Sequence, residues 1–216
     1  MGSLHQTAIL SSLIILLVGC ATKSLQPPTE WDGLEYRPGN ETGAVYMRPN
    51  VEFKAYRTVM IDPPVVVIDS DWNPHLSSIP VGQGVAPPRQ LSSGELQRIK
   101  DTIASEFRKI LVKEMTAGGY RVLERPSDDT VRVTPVLINV YLDGTSSGRM
   151  TLVMELRDAP TGQLLGRFVD EKTGPMGFLQ FPDSVTESVT FRRAVQAWGR
   201  RLRAGVDQMS GQSPKT

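Results

Sequence analysis

The only cysteine in this 216-residue chain, Cys20, comes directly after an apolar segment, and its thiol is the first candidate for chemistry. Residues 8–18 are apolar except for Ser11 and Ser12. This length is typical of a signal-peptide core and falls short of the roughly 20 residues that a membrane-spanning helix needs. In an exported chain a lone thiol has no disulfide partner, so a modification is the favoured interpretation. The alternative is a buried free cysteine on an apolar N-terminal helix.

The segment Leu17-Val18-Gly19-Cys20 resembles the bacterial lipobox. The resemblance implies that a signal peptidase cleaves before Cys20, that its thiol forms a thioether to diacylglycerol, and that its freed amine is acylated, for example with palmitate. Two or three acyl chains hold a protein stably at a membrane, because each buried methylene contributes about 0.8 kcal/mol. Ala21, in place of the aspartate typical of inner-membrane retention, implies the periplasmic face of a Gram-negative outer membrane.

The rest of the chain predicts one domain behind a tether. We expect a signal peptide at residues 1–19, a lipidated flexible tether at 20–30, a periplasmic domain at 31–211 and a disordered tail at 212–216. The mature length is sufficient for a sizeable core. The formal net charge of +1 argues against a dedicated nucleic-acid binder.

Three short segments resemble the opening of a bacterial outer-membrane lipoprotein family of unknown function. They are Trp31-Asp32-Gly33-Leu34, Val45-Tyr46-Met47-Arg48-Pro49 and Tyr56-Arg57-Thr58-Val59-Met60-Ile61-Asp62-Pro63. The segment Ala197-Trp198-Gly199-Arg200-Arg201-Leu202 fits the closing helix of that family. The resemblance implies a fold and a location but no activity.

Periodicity predicts an α+β domain: a mostly antiparallel sheet of about four to five strands with two amphipathic helices on one face. A capping box of Ser92 and Glu95 opens the first helix, which is expected to end before Gly118. The second helix is expected at about residues 190–209. Strands are expected at residues 59–68, with a break at Pro63-Pro64, and at 120–123, 131–142, 150–157 and 163–170. In the 131–142 strand we expect the alternation to change phase at Pro135, through a bulge or an edge position. Val131 and Val133 share a face before the proline, and Val136, Ile138, Val140 and Leu142 share one after it.

Candidate catalytic patterns are weak. The pentapeptide at residues 144–148 matches G-x-S-x-G, but it lies between two predicted strands with no later histidine, so a hairpin turn is the favoured interpretation. His75 is the only histidine outside the signal segment, which makes a zinc site of the usual ligands improbable. We therefore expect no catalytic residues, no metal and no cofactor.

The sequence favours a non-catalytic envelope binding or assembly module, held at the membrane by Cys20, whose partner is an envelope protein or polymer. Apolar residues in two predicted loops form its possible partner surface: Trp72, Met176, Phe178, Leu179 and Phe181. Five arginines make the last helix basic, which indicates either a solvated face or attraction to acidic groups. Two alternatives stay open. One is an envelope hydrolase using Asp69, Asp71 and Asp170, and the other is a structural subunit of a secretion or efflux assembly.

Overall fold

The computed structural model describes residues 27–38, 43–50, 56–72, 91–141, 148–174 and 189–211. These residues form one sheet of nine strands and two helices. The strands are β1 (Glu30–Trp31), β2 (Leu34–Arg37), β3 (Ala44–Met47), β4 (Thr58–Ile61), β5 (Val65–Ile68), β6 (Arg121–Val122), β7 (Thr130–Tyr141), β8 (Gly148–Asp158) and β9 (Leu164–Gly174). The helices are α1 (Ser93–Ala117) and α2 (Val189–Met209).

The α+β class is confirmed, but the predicted sheet of four to five mostly antiparallel strands is wrong. The strand order is β1-β2-β3-β9-β8-β7-β4-β6, with β5 also paired to β7. In the run β1-β2-β3-β9-β8-β7, each strand pairs with the next in antiparallel orientation. Strand β7 pairs in parallel with β4 and β5, and β4 pairs in parallel with β6. The extra strands are only two to four residues long, too short to show a period in the sequence.

The break at Pro63-Pro64 is confirmed, and it also explains a proline in the central strand β7. Pairing of β4 with β7 ends at Val133, and pairing of β5 begins at Val136. Pro135 therefore lies opposite the interruption between β4 and β5, where a missing N–H disturbs the ladder least.

The predicted change of phase at Pro135 is wrong; it occurs at Asn139. Val131, Val133, Pro135 and Leu137 are all buried, so alternation continues through the proline. Asn139 has a φ of 53°, and the register with β8 shifts between Ile138 and Tyr141. This bulge brings Val140 back to the buried face. Val136 and Ile138, predicted to share a face with Val140, lie on the opposite face of the sheet.

Helix α1 begins and ends as its sequence predicts. The Ser92 side chain accepts a hydrogen bond from the Glu95 N–H, and the Glu95 carboxylate accepts one from the Ser92 N–H, completing the capping box. After Ala117, Gly119 adopts a φ of 89°, which favours glycine and stops the helix.

Both helices pack on one face of the sheet, and the main core lies between them and β4–β9. The buried side chains of the helices recur every three to four residues. They are Ile99, Ile103, Phe107, Leu111 and Met115 in α1, and Phe191, Val195, Trp198, Leu202, Val206 and Met209 in α2. A smaller cluster of Leu34, Tyr46 and Leu164 forms on the other face under the N-terminal strands.

Two glycines of α2 provide a matched test of helix packing. A Cβ on Gly199 would lie 2.8 Å from Cγ and 2.9 Å from Cβ of Glu114, whereas a Cβ on Gly205 would meet nothing within 4 Å. Alanine at Gly205 should raise the free energy of unfolding by about 0.5–1 kcal/mol through helix propensity. Alanine at Gly199 should lower it by about 1 kcal/mol, because the clash with α1 outweighs that gain. Urea unfolding measures both, and a gain in stability at Gly199 would contradict the close helix contact.

Candidate functional site

Most residues of the predicted site lie outside the described part of the chain. Cys20, His75 and the loop residues Met176, Phe178, Leu179 and Phe181 are among them, so their roles stay predictions. Trp72 is described, and it is buried in the main core with 8% of its surface exposed. Its inclusion in an exposed partner surface was wrong, because the side chain packs against the helices and the sheet.

The three carboxylates of the hydrolase alternative do not converge. The Asp69 carboxylate accepts hydrogen bonds from the Asp71 N–H at 2.9 Å and from Arg149 Nη2 at 2.6 Å. These hydrogen bonds hold the pKa of Asp69 below its usual range, and the bond from the Asp71 N–H has the largest effect. Asp170 is buried on the helix-covered face and accepts a hydrogen bond from Trp198 Nε1 at 2.8 Å. Arg149 belongs to the opposite face of the sheet, so the structure separates Asp69 from Asp170.

A groove of about 600 Å³ lies between the sheet and the C-terminal half of α2, and it is the candidate binding site. Its apolar lining comes from β3, β8, β9 and α2: Val45, Met47, Met154, Leu156, Phe168 and Leu202. Ligand sites in proteins are typically concave, mostly apolar and about 300–1,000 Å³ in volume. The groove meets that description.

Small residues on α2 leave the space that becomes the groove. Ala197, Ala204 and Gly205 line it, and nothing lies within 4 Å of a Cβ placed on Gly205. A larger side chain at Gly205 would be expected to pack down onto β9 and close the gap. The same helix is packed tightly against α1 at Gly199, so the groove lies on a different face of α2 from the contact with α1.

Arginines line the groove together with the apolar residues. Arg200 and Arg201 of α2 line the groove with Arg37 of β2. Arg200 is exposed, and half of the Arg37 side chain is exposed. The Arg201 guanidinium lies 5.3 Å from the centre of the Phe168 ring. The groove thus combines an apolar interior with several cations, an arrangement suited to a ligand with an apolar part and an anionic group.

Asp170 holds β9 against α2 next to the groove. Its Oδ2 accepts from Trp198 Nε1 and from Lys172 Nζ, each at 2.8 Å, and Arg201 Nη1 lies 3.9 Å away. A buried carboxylate requires such partners. The contacts join β9 to α2 next to the groove, which indicates a structural role for Asp170.

A second ionic cluster, on the opposite face, holds the N-terminal strands against the sheet. The Arg167 side chain is 7% exposed; its Nη2 lies 2.5 Å from Glu155 and 2.7 Å from Asp32, and its guanidinium lies 4.1 Å from the centre of the Trp31 ring. Burial raises the pKa of Glu155, but hydrogen bonds from Arg167 and Arg157 outweigh it and lower that pKa overall. These contacts therefore fix β1 and the turn after it against β8 and β9.

The helix-free face of the sheet carries an exposed apolar patch. Val65 and Val67 of β5 are 54% and 46% exposed, and alternation places Val136, Val153 and Val169 on the same face. The sequence predicted strands here but not which of their faces the helices leave uncovered. This patch is a second surface that a partner could cover.

Within the described ranges there is no group of three or more His, Cys, Asp or Glu residues placed to hold a metal ion. Neither α1 nor α2, the helices of this part of the chain, combines the length and apolar character needed to cross a membrane.

The groove was missed by sequence reasoning because its lining comes from segments far apart in the chain. Residues near positions 37–47, 154–168 and 197–208 meet there only in the folded sheet. One signal in the sequence could have indicated the groove: the small residues Ala197, Ala204 and Gly205 occur close to Arg200 and Arg201 in the last helix. The apolar stripe of that helix otherwise consists of large side chains.

The chain matches solved structures of several bacterial proteins, at low identity. A Xanthomonas campestris protein assigned to family DUF330 is 14% identical, with 76% of this chain and 91% of that chain covered and a TM-score of 0.42. A PelC dodecamer from Paraburkholderia phytofirmans is 10% identical, with 79% of this chain and 99% of that chain covered and a TM-score of 0.38. A minor lipoprotein from Acinetobacter baumannii is 10% identical, with 74% of this chain and 98% of that chain covered and a TM-score of 0.36. The identities and TM-scores are low, so no function is carried over from them.

No curated protein matches the sequence. A family model described as "Protein of unknown function (DUF3313)" matches residues 24–143, more than half of the 216-residue chain. The match runs from before β1 to the end of β7, and it stops short of β8, β9 and α2, which supply much of the groove. A family of unknown function is what the N-terminal motifs predicted. The chain belongs to the DUF3313 family.

Proposed function

We propose that this protein is a lipid-anchored, non-catalytic binding module of the bacterial envelope, and that the groove beside α2 is its binding site. The anchor is Cys20, at the periplasmic face of the outer membrane, and its support is the sequence Leu17-Val18-Gly19-Cys20. The single observation that carries the binding role is the groove, with its apolar interior and surrounding arginines.

The positions of the carboxylates favour this role over the hydrolase alternative. An acid–base pair must share a site and have pKa values near the working pH. Asp69 is tied to Arg149, with a lowered pKa, and Asp170 is tied to Trp198 and Lys172 on the other face. Both carboxylates are used in structural contacts, which leaves binding as the better supported role.

Site-specific photo-crosslinking in cells tests the binding role. A photoreactive residue at Ala204, which is exposed and lines the groove, should form a covalent adduct with whatever occupies the site. The matched control is Lys109, an exposed helical position on α1. We expect an adduct at Ala204 at native expression level and none at Lys109. Equal labelling at the two positions, or no adduct at Ala204, would count against the groove as a binding site.

A further inference from the structure

We infer that the groove takes the acyl chain of an anionic phospholipid from the membrane that carries the anchor, with the phosphate held by Arg200, Arg201 and Arg37. This inference rests on the proposed function and specifies its ligand. Three features of the molecule support it: the character of the groove interior, the placement of the arginines, and the reach of the chain from Cys20.

The interior of the groove suits a flexible hydrocarbon chain. Met47, Met154, Leu156 and Phe168 contribute apolar side chains from neighbouring strands. Methionine is unbranched and adapts to irregular apolar shapes, as a site for acyl chains of variable length requires. A peptide that adds as a strand would need main-chain partners, but β3 and β9 are already paired on both sides, so the sheet offers no free edge here.

The arginines suit a phosphate. The guanidinium group binds phosphate through two parallel hydrogen bonds, and it is more weakly hydrated than an ammonium group. Arg200 and Arg201 are consecutive in α2, and Arg37 of β2 lines the same groove, where its Nη2 lies 3.1 Å from the Glu35 carboxylate. The headgroup of an acyl chain in the groove would therefore lie near cations from two elements.

The length of the anchor segment places the membrane within reach. Glu30, at the start of β1, comes ten positions after Cys20, and a fully extended chain of that length spans at most about 33–36 Å. Strands β1, β2 and β3 are neighbours at one edge of the sheet, and β2 and β3 line the groove. The groove therefore lies at the edge of the sheet where the tether joins the domain.

Photolabelling of the full, lipidated chain tests the inference. The chain is reconstituted into vesicles of phosphatidylethanolamine and phosphatidylglycerol that contain phosphatidylglycerol with a photoreactive group at the acyl terminus. We expect labelled peptides from β3, β9 and the C-terminal half of α2. Arg200→Glu should reduce this labelling about tenfold, since it removes a charge-assisted contact and adds repulsion.

Two variants make the result specific. Arg193→Glu reverses the same charge at an exposed position earlier in α2 and should leave labelling unchanged. Gly205→Phe fills the open space and should abolish labelling, with Gly205→Ala as the control that leaves room. The inference is overturned if the label lies outside the groove, if Arg200→Glu and Arg193→Glu behave alike, or if a phosphatidylcholine probe labels equally well.

The two experiments separate the inference from the proposed function. An adduct with a protein or polymer at Ala204 in cells, without lipid labelling, would overturn the phospholipid and leave the binding role intact. The absence of both would remove the groove as a site.

Discussion

Replacing Trp198 with alanine is expected to lower the free energy of unfolding by about 3–5 kcal/mol, the cost of removing a large buried aromatic residue. Trp198 is fully buried between the helices and the sheet, with its ring centre 6.1 Å from that of Phe107. It also donates a hydrogen bond to Asp170, whose side chain is 2% exposed and would lose a partner. Domains of this size have total stabilities of about 5–15 kcal/mol, so the loss would be a large fraction of the total.

Urea unfolding of the mature chain, followed by circular dichroism, measures this change. Trp31→Ala is the matched control, because the same side chain is removed from a position that is 38% exposed and the expected loss is about 1 kcal/mol. Trp198→Phe keeps an aromatic ring and removes the donor, and its cost should fall between those of the two alanine variants. Equal losses for Trp198→Ala and Trp31→Ala would show that the core is not centred on Trp198.

Replacing Cys20 with serine is expected to abolish lipid attachment completely and to release the protein from the membrane. Serine has no thiol to form the thioether, and the apolar segment at residues 8–18 is too short to span a bilayer. The chains lost contribute about 0.8 kcal/mol per buried methylene, so no partial attachment should persist. Metabolic labelling with a palmitate analogue and membrane fractionation measure the two effects.

Ala21→Asp is the control for the same segment. It keeps the thiol and should keep the lipid label, but the resemblance to the lipobox predicts a shift from the outer to the inner membrane. Persistent labelling of the Cys20→Ser chain would remove the basis of the anchor.

Local signals predicted the elements whose ends are fixed by neighbouring residues. The capping box of Ser92 and Glu95 and the glycines after Ala117 define α1 without reference to the rest of the fold. The alternation of Met150, Leu152, Met154 and Leu156 defines β8 in the same way, because one face of this strand is buried throughout.

Features that depend on distant residues were not predictable in this way. The bulge in β7 was expected at Pro135, the residue that cannot donate, but the neighbouring strands are interrupted there and the bulge falls at Asn139. Of the short strands β1–β3, β3 pairs with β9 more than 100 residues later, and β2 and β1 follow it in the sheet. The contacts of Arg167 with Trp31 and Asp32 add to this pairing. The groove forms from the same long-range pairing.

Photo-crosslinking at Ala204 in cells, repeated in the Gly205→Phe background, tests the central claim most directly. The account predicts an adduct at Ala204 in the native chain whose mass identifies the bound component, and loss of that adduct when phenylalanine fills the groove. The Gly205→Ala chain should retain the adduct. An adduct that survives Gly205→Phe unchanged would contradict the account, because the crosslinked component would then lie outside the groove.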